Sequence, residues 1–167
     1  MAGKPHTATV AKIRHPARML ALQALCAYEG IGDKFRDELA AFLRDEQTWA
    51  DIDLEPPVNE DVVRYAQKLA NETWAARAGL DAQLGQVSGQ WSVSRMTLVD
   101  RNILRMALWE IRESKDVPWQ VAIDEAVEIA KRFSDTRSAA FVNGLLDSAR
   151  KLLEDTRAQG GEPDGAV

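Results

Sequence analysis

Apolar positions recur at helical spacing along most of this chain. Ala17, Leu20, Ala21, Ala24, Leu25 and Tyr28 fall at i, i+3, i+4, i+7, i+8 and i+11, one stripe over three turns. Gly30 and Gly32 end that stripe. A second helix is predicted from Asp33 to about Arg44, with Phe35, Leu39, Phe42 and Leu43 inward. Residues 45–58 are rich in Asp and Pro and predict a loop. Asn59 can cap a third helix, because its side-chain oxygen accepts an orphan backbone N–H of the next turn. Val62, Tyr65, Ala66, Leu69 and Ala70 form its stripe, which runs to Ala78. Gly79, Gly85, Gly89 and several serines mark 79–95 as a short helical piece, a turn and a subdomain boundary.

The second half is more strongly patterned. Val99, Ile103, Met106, Ala107 and Ile111 make one stripe, widened by Leu104 and Leu108. Pro118 disfavours helix in the residue before it, and Trp119 opens the next helix. Ile123, Ala126, Val127, Ala130 and Phe133 face inward there. Ser134-Asp135-Thr136 has turn and cap chemistry, and a last stripe runs from Val142 to Leu153. No strand alternation and no internal repeat interrupts this. The expected fold is all-α, a bundle of about seven helices. Residues 1–13 read as a flexible basic arm, 14–78 and 79–153 as two helical subdomains, and 154–167 as a disordered tail.

Charge adds an asymmetry. Residues 1–28 hold Lys4, Lys12, Arg14 and Arg18 and no Asp or Glu. With −5 over the whole chain, the rest carries −9. Such a leader is either a solvated segment or a basic arm working on an anion. No run approaches the roughly 18 apolar residues that span a bilayer, and no apolar block follows the basic start. A cytoplasmic setting is expected.

Catalytic and metal chemistry finds little support. One cysteine, Cys26, and two histidines, His6 and His15, cannot build a multi-cysteine zinc site. Gly30-Ile31-Gly32 lacks the third glycine and the preceding strand of a phosphate loop. Asp124, Glu125 and Glu128 fit an ordinary polar helix face better than a cation site. Cys26 beside an apolar stripe reads as a structural thiol. No enzyme, cofactor or metal is expected.

Three features exceed what packing needs. Lys12, Arg14, His15 and Arg18 crowd the start of the first helix. Lys131, Arg132 and Arg137 surround the junction before the last helix, whose N-terminal N–H groups favour anions. Lys131 and Arg132 equally complement the dipole of their own helix. Gly144, inside an otherwise strong helix, costs about 1 kcal/mol against alanine, and with Asn143 it suggests a close approach or a polar contact. Phe141 at the stripe's edge fits either the core or a stacking face for an unpaired base.

The chain resembles the NusB family of bacterial transcription antitermination factors. The carrying segments are Ala17-Arg18 with Gln23-Ala24-Leu25, then 99–110 (VDRNILRMALWE), Val117-Pro118, 123–131 (IDEAVEIAK) and 141–147 (FVNGLLD). They cover roughly 15–150, and residues 30–95 match only in helical character. The resemblance implies two helical subdomains and no catalysis. It implies binding of boxA-type single-stranded RNA jointly with NusE, a small-subunit ribosomal protein. That pair joins the elongating RNA polymerase to support ribosomal RNA operons. Carried over, the arginine-rich start maps to Lys12, Arg14, His15 and Arg18. The RNA-facing junction maps to Lys131, Arg137 and Phe141, and Asp100 and Glu125 map to the side facing NusE. Cys26 stands where tyrosine is common, Arg137 where an acid can occur, and His15-Pro16 interrupts the arm. Two other roles fit such a domain. One is a piece of an RNA cytosine methyltransferase, although the chain ends about twenty residues after Asn143-Gly144. The other is a homodimeric scaffold that covers its own RNA face.

Overall fold

A computed structural model describes residues 7–160. Among these residues all regular structure is helical. Contacts divide the chain into two compact units, Met1–Arg77 and Ala78–Val167.

The first unit is built on α1 (Thr7–Ile31) packed along α4 (Glu60–Ala75). Ala17, Leu20, Ala21, Ala24, Leu25 and Tyr28 of α1 are buried, as are Val62, Val63, Ala66, Leu69 and Ala70 of α4. The side chain of Asn59 accepts from the N–H of Asp61 (2.8 Å) and starts α4. Tyr28 stacks on Trp74 (ring centres 5.0 Å, planes 17° apart) and meets Phe35 edge-on (5.0 Å, 85°). Gly32, at φ +89°, makes the turn out of α1 in a conformation that disfavours side chains.

Four details depart from the sequence pattern. First, α1 begins at Thr7, so residues 7–13 are helical and not a flexible arm, while residues 1–6 lie outside the described residues. Pro16 sits inside this helix. It removes the donor that the carbonyl of Lys12 would use, and Lys12 is exposed, where water can serve that oxygen. Second, Asp33–Arg44 is a 3-10 turn (Asp33–Asp37) and a four-residue α2 (Leu39–Phe42). Third, the expected loop 45–58 contains α3 (Glu46–Ala50). The Asp45 carboxylate caps it from Gln47 N (2.8 Å) and Thr48 N (3.3 Å), and the Trp49 indole donates to Leu43 O (2.8 Å). Fourth, α4 ends at Ala75.

The second unit holds α5 (Arg77–Val87, whose first residue precedes the division), a 3-10 turn (Val93–Arg95), α6 (Leu98–Glu113), α7 (Trp119–Phe133) and α8 (Thr136–Gln159). α6, α7 and α8 pack on one another, and α6 is buried almost throughout, from Asn102 to Glu110. α8 runs past Leu153, so residues 154–159 are helical rather than a tail, and 161–167 lie outside the described residues. Glu154 pairs with Arg150 one turn back (2.9 Å), and Arg157 donates to the Arg112 carbonyl (3.1 Å), which fastens the extension. Nothing lies within 4 Å of where a Cβ on Gly144 would stand, so the expected close approach is absent.

Asp135 caps α8, accepting from Ser138 N at 2.7 Å. That backbone N–H holds the Asp135 carboxyl below its ordinary range. A carboxylate whose folded pKa is depressed contributes stability that is complete above the unfolded value near 4 and is lost as pH falls through the folded value. Thermal melts of the parent and Asp135→Ala therefore separate at neutral pH, with the parent higher. The gap narrows as pH falls below about 4. A pH-independent gap contradicts this origin of the cap's contribution.

Candidate nucleic-acid interface

The best-built surface feature of the second unit lies where the α6 and α8 N-termini meet the segment before α6. The Thr97 hydroxyl caps α6, accepting from Asp100 N (3.1 Å). This puts Asp100 in the first turn, where its side chain turns toward α8 and accepts from the Ser138 hydroxyl (3.0 Å). Ser138 in turn receives the Ser134 hydroxyl (2.8 Å). A cavity of about 290 Å3 opens here, lined by Trp91, Arg95, Met96, Thr97, Asp100, Arg137, Ser138 and Phe141. Arg137 and Phe141, at i and i+4 on α8, reach it together. Trp91 meets Phe141 edge-on, with ring centres 6.4 Å apart and planes at 66°.

The chemistry of this cavity is mixed by design of its walls. Trp91 is 64% exposed and Phe141 half-buried, so aromatic surface faces solvent. Arg95 and Arg137 are exposed at the edge, and no side-chain hydrogen bond or close ion pair engages either guanidinium among the described residues. Asp100 is only 7% exposed, and its second carboxylate oxygen is buried without a hydrogen-bond partner. Flat apolar walls and peripheral guanidinium groups are what an unpaired base and its flanking phosphates require.

The sequence-predicted residues distribute as follows. Phe141 and Arg137 share this cavity. Lys131 does not line it; it is exposed on α7 and pairs with Glu128 at 3.3 Å. Asp100, expected on a partner-facing surface, is instead buried in the cavity wall, because its cap position and the bond from Ser138 draw it inward. Glu125 is half-buried on α7. In the first unit, helical spacing spreads the basic cluster over nearly half of the circumference of α1. Arg14 and Arg18 lie one turn apart, as do Lys12 and His15, with His15 and Arg18 linking the two pairs. Arg14 is half-buried, with its guanidinium 5.0 Å from the Tyr65 ring centre, and His15 is half-buried. Lys12 is exposed. Arg18 is 3% exposed, so it cannot reach a surface ligand without movement of its surroundings. Cys26 is half-buried on the same helix.

Trp91 and Arg95 were missed by the sequence reading. The signal was present: a tryptophan inside a Gly- and Ser-rich stretch has no apolar stripe to join. Among the described residues no group of three or more His, Cys, Asp or Glu is placed to hold a metal ion, and no helix is long and apolar enough to cross a membrane.

Among the described residues, the fold and this surface define an all-helical, two-unit protein with an aromatic and cationic groove. The chain belongs to the NusB family, whose profile matches residues 15–151. It is 38% identical over 146 residues to the transcription antitermination protein NusB of Dehalococcoides mccartyi (strain CBDB1), covering 87% of this chain and 95% of the relative. It is 43% identical over 137 residues to that of Symbiobacterium thermophilum, covering 81% and 87%. Among solved structures, T. maritima NusB superposes with a TM-score of 0.64 at 33% identity, over 83% of this chain and 90% of that one. A complex of the antitermination factors NusB and NusE with dsRNA contains a chain of the same fold (TM-score 0.68, 23% identity, 84% and 98% covered).

Proposed function

We propose that this protein is a transcription antitermination factor that holds single-stranded RNA of the boxA type. The partner is NusE, and the pair acts on the elongating RNA polymerase in the cytoplasm to support transcription of ribosomal RNA operons. The observation that carries the RNA reading is the cavity between Trp91 and Phe141, bordered by Arg95 and Arg137. Membership of the family supports the antitermination role, and a protein of the same fold has been crystallised with NusE and dsRNA.

The work is assembly and breaks no covalent bond. A base enters between aromatic walls, guanidinium groups neutralise the neighbouring phosphates, and the net acidity of the remaining surface suits a basic protein partner. Lys12, Arg14 and His15 of the first unit add contacts of their own, and Arg18 is left out because it is buried. Lys131 contributes from α7, where its exposed pair with Glu128 is weak enough for a phosphate to displace. Glu125 remains the better candidate for the partner-facing side.

Each phosphate neutralised on a single strand adds about −0.7 to the log–log salt slope, so three such contacts alone lower affinity about fifteen-fold between about 50 and 200 mM salt, and further contacts steepen the fall. Binding by the isolated chain is therefore weak at cell-like salt. A basic partner bound beside the RNA tightens it, and RNA tightens the partner by the same factor. Filter binding of boxA RNA with and without NusE checks this. Tighter binding with NusE is expected, and equal affinity in both cases contradicts the coupled assembly.

A further inference from the structure

A second groove lies wholly within the first unit, between α1 and α4. Asp61, Arg64, Tyr65 and Lys68 fall at i, i+3, i+4 and i+7, one stripe along α4. Val10, Ile13 and Arg14, at i, i+3 and i+4, form the facing stripe of α1. The two stripes enclose a groove of about 300 Å3. Its charge is three cations against one acid. Arg14 lies across the face of Tyr65, a contact that holds its guanidinium at the groove. Arg64 is paired only with Asp61 (2.8 Å), and both side chains are mostly exposed, 72% and 54%. Such an exposed pair yields readily to a competing anion. Lys68 is exposed and makes no hydrogen bond or ion pair among the described residues.

We propose that this groove binds the phosphate backbone of single-stranded RNA, with Arg64 and Lys68 of α4 as phosphate contacts in addition to the basic cluster of α1. The inference rests on the RNA-binding role proposed above. α4 faces the groove with two cations a turn apart, and Arg14 is held between them and α1. Val10 and Ile13 give an apolar wall against which ribose can lie. An amphipathic helix needs no cations on this stripe, because α4 already buries Val62, Val63, Ala66, Leu69 and Ala70 on its inner face. The sequence reading assigned Tyr65 to that inner stripe and gave Arg64 and Lys68 no role; they come into view because α1 extends back to Val10.

The test is the salt dependence of RNA binding by the full chain, followed with a labelled single-stranded oligoribonucleotide. Two further phosphate contacts add about −1.4 to the slope. Between about 50 and 200 mM salt the parent's affinity then falls on the order of a hundred-fold, and that of Arg64→Ala/Lys68→Ala about fifteen-fold. Arg64→Lys/Lys68→Arg keeps the parent slope, and matching melts for all three proteins exclude a folding effect. A double alanine variant with the parent's slope overturns the inference while leaving RNA binding by the chain intact. A parent that binds no RNA at low salt overturns the RNA-binding role itself. If the alanine variant keeps the RNA slope but loses binding to poly-glutamate, the groove serves an acidic protein and the inference is wrong.

Discussion

Asp81→Ala is expected to cost the second unit about 3 kcal/mol of stability or more. Arg105, at 7% exposure, sits in the middle of buried α6 and reaches α5. Its Nε and Nη2 donate to the two oxygens of Asp81, each at 2.7 Å, a two-pronged fork. Nη1 donates to the Asn102 side chain at 3.2 Å. Removing the carboxylate breaks both prongs of the fork around a largely desolvated guanidinium. Losing one member of such a pair costs about 3–5 kcal/mol, a large fraction of the about 5–15 kcal/mol that holds a domain folded. Replacing both members is less harmful, since two apolar side chains carry no desolvation penalty. Urea denaturation of Asp81→Ala and of Asp81→Leu/Arg105→Met separates the two cases. The single variant is expected to unfold at markedly lower urea, and the double variant nearer the parent. A single variant within about 0.5 kcal/mol of the parent, like an ordinary surface change, shows that the fork carries no weight.

The second large effect is on RNA. Base–aromatic stacking is worth about 1–3 kcal/mol per base. Trp91→Ala is expected to weaken boxA RNA binding about five-fold or more, and Trp91→Ala/Phe141→Ala further. The reason is geometric. The rings meet edge-on at 66°, so each keeps a face toward the cavity or solvent. Trp91 in particular is exposed and lies on a loop, where its removal leaves no core void. Phe141 is half-buried, so its alanine variant also loses packing of its own, including the edge-on contact with Trp91. Phe141→Leu keeps the apolar volume and removes only the aromatic face. Anisotropy titrations are expected to rank parent, Phe141→Leu, Trp91→Ala and the double variant in falling affinity, with the melting temperature of Trp91→Ala unchanged. Equal affinities for the parent and Trp91→Ala contradict the stacking role.

Much of the fold was legible because its helices are amphipathic. The stripes on α6, α7 and α8 recur at 3.6 residues over about three turns, and Asn59 and Asp135 announce the starts of α4 and α8 with cap chemistry. The misjudged elements lack such periods. Residues 7–13 carry no apolar stripe of their own, and Pro16 looks like a helix start because proline is best tolerated there. α3 is five residues long, too short for any period, and is fixed by Asp45 and by the Trp49 indole.

The site was legible only in part, for a related reason. Charge counting finds cations but not the face on which each one lies. Arg14 and Arg18 look equivalent in sequence, yet one lies over Tyr65 and the other is buried. The resemblance maps Asp100 to a partner-facing side, but the cap at Thr97 and the hydroxyl of Ser138 turn it inward. Trp91 is paired with Phe141 across fifty positions of sequence, a contact that no local pattern encodes.

The most direct test of the RNA surface is photocrosslinking of boxA RNA substituted with 5-iodouridine, followed by mass spectrometric mapping of the attachment sites on the bound protein. Crosslinks to Trp91 or Phe141, lost in Trp91→Ala/Phe141→Ala, are the predicted result. Efficient crosslinking confined to residues away from that cavity, with RNA bound at saturation, would contradict it.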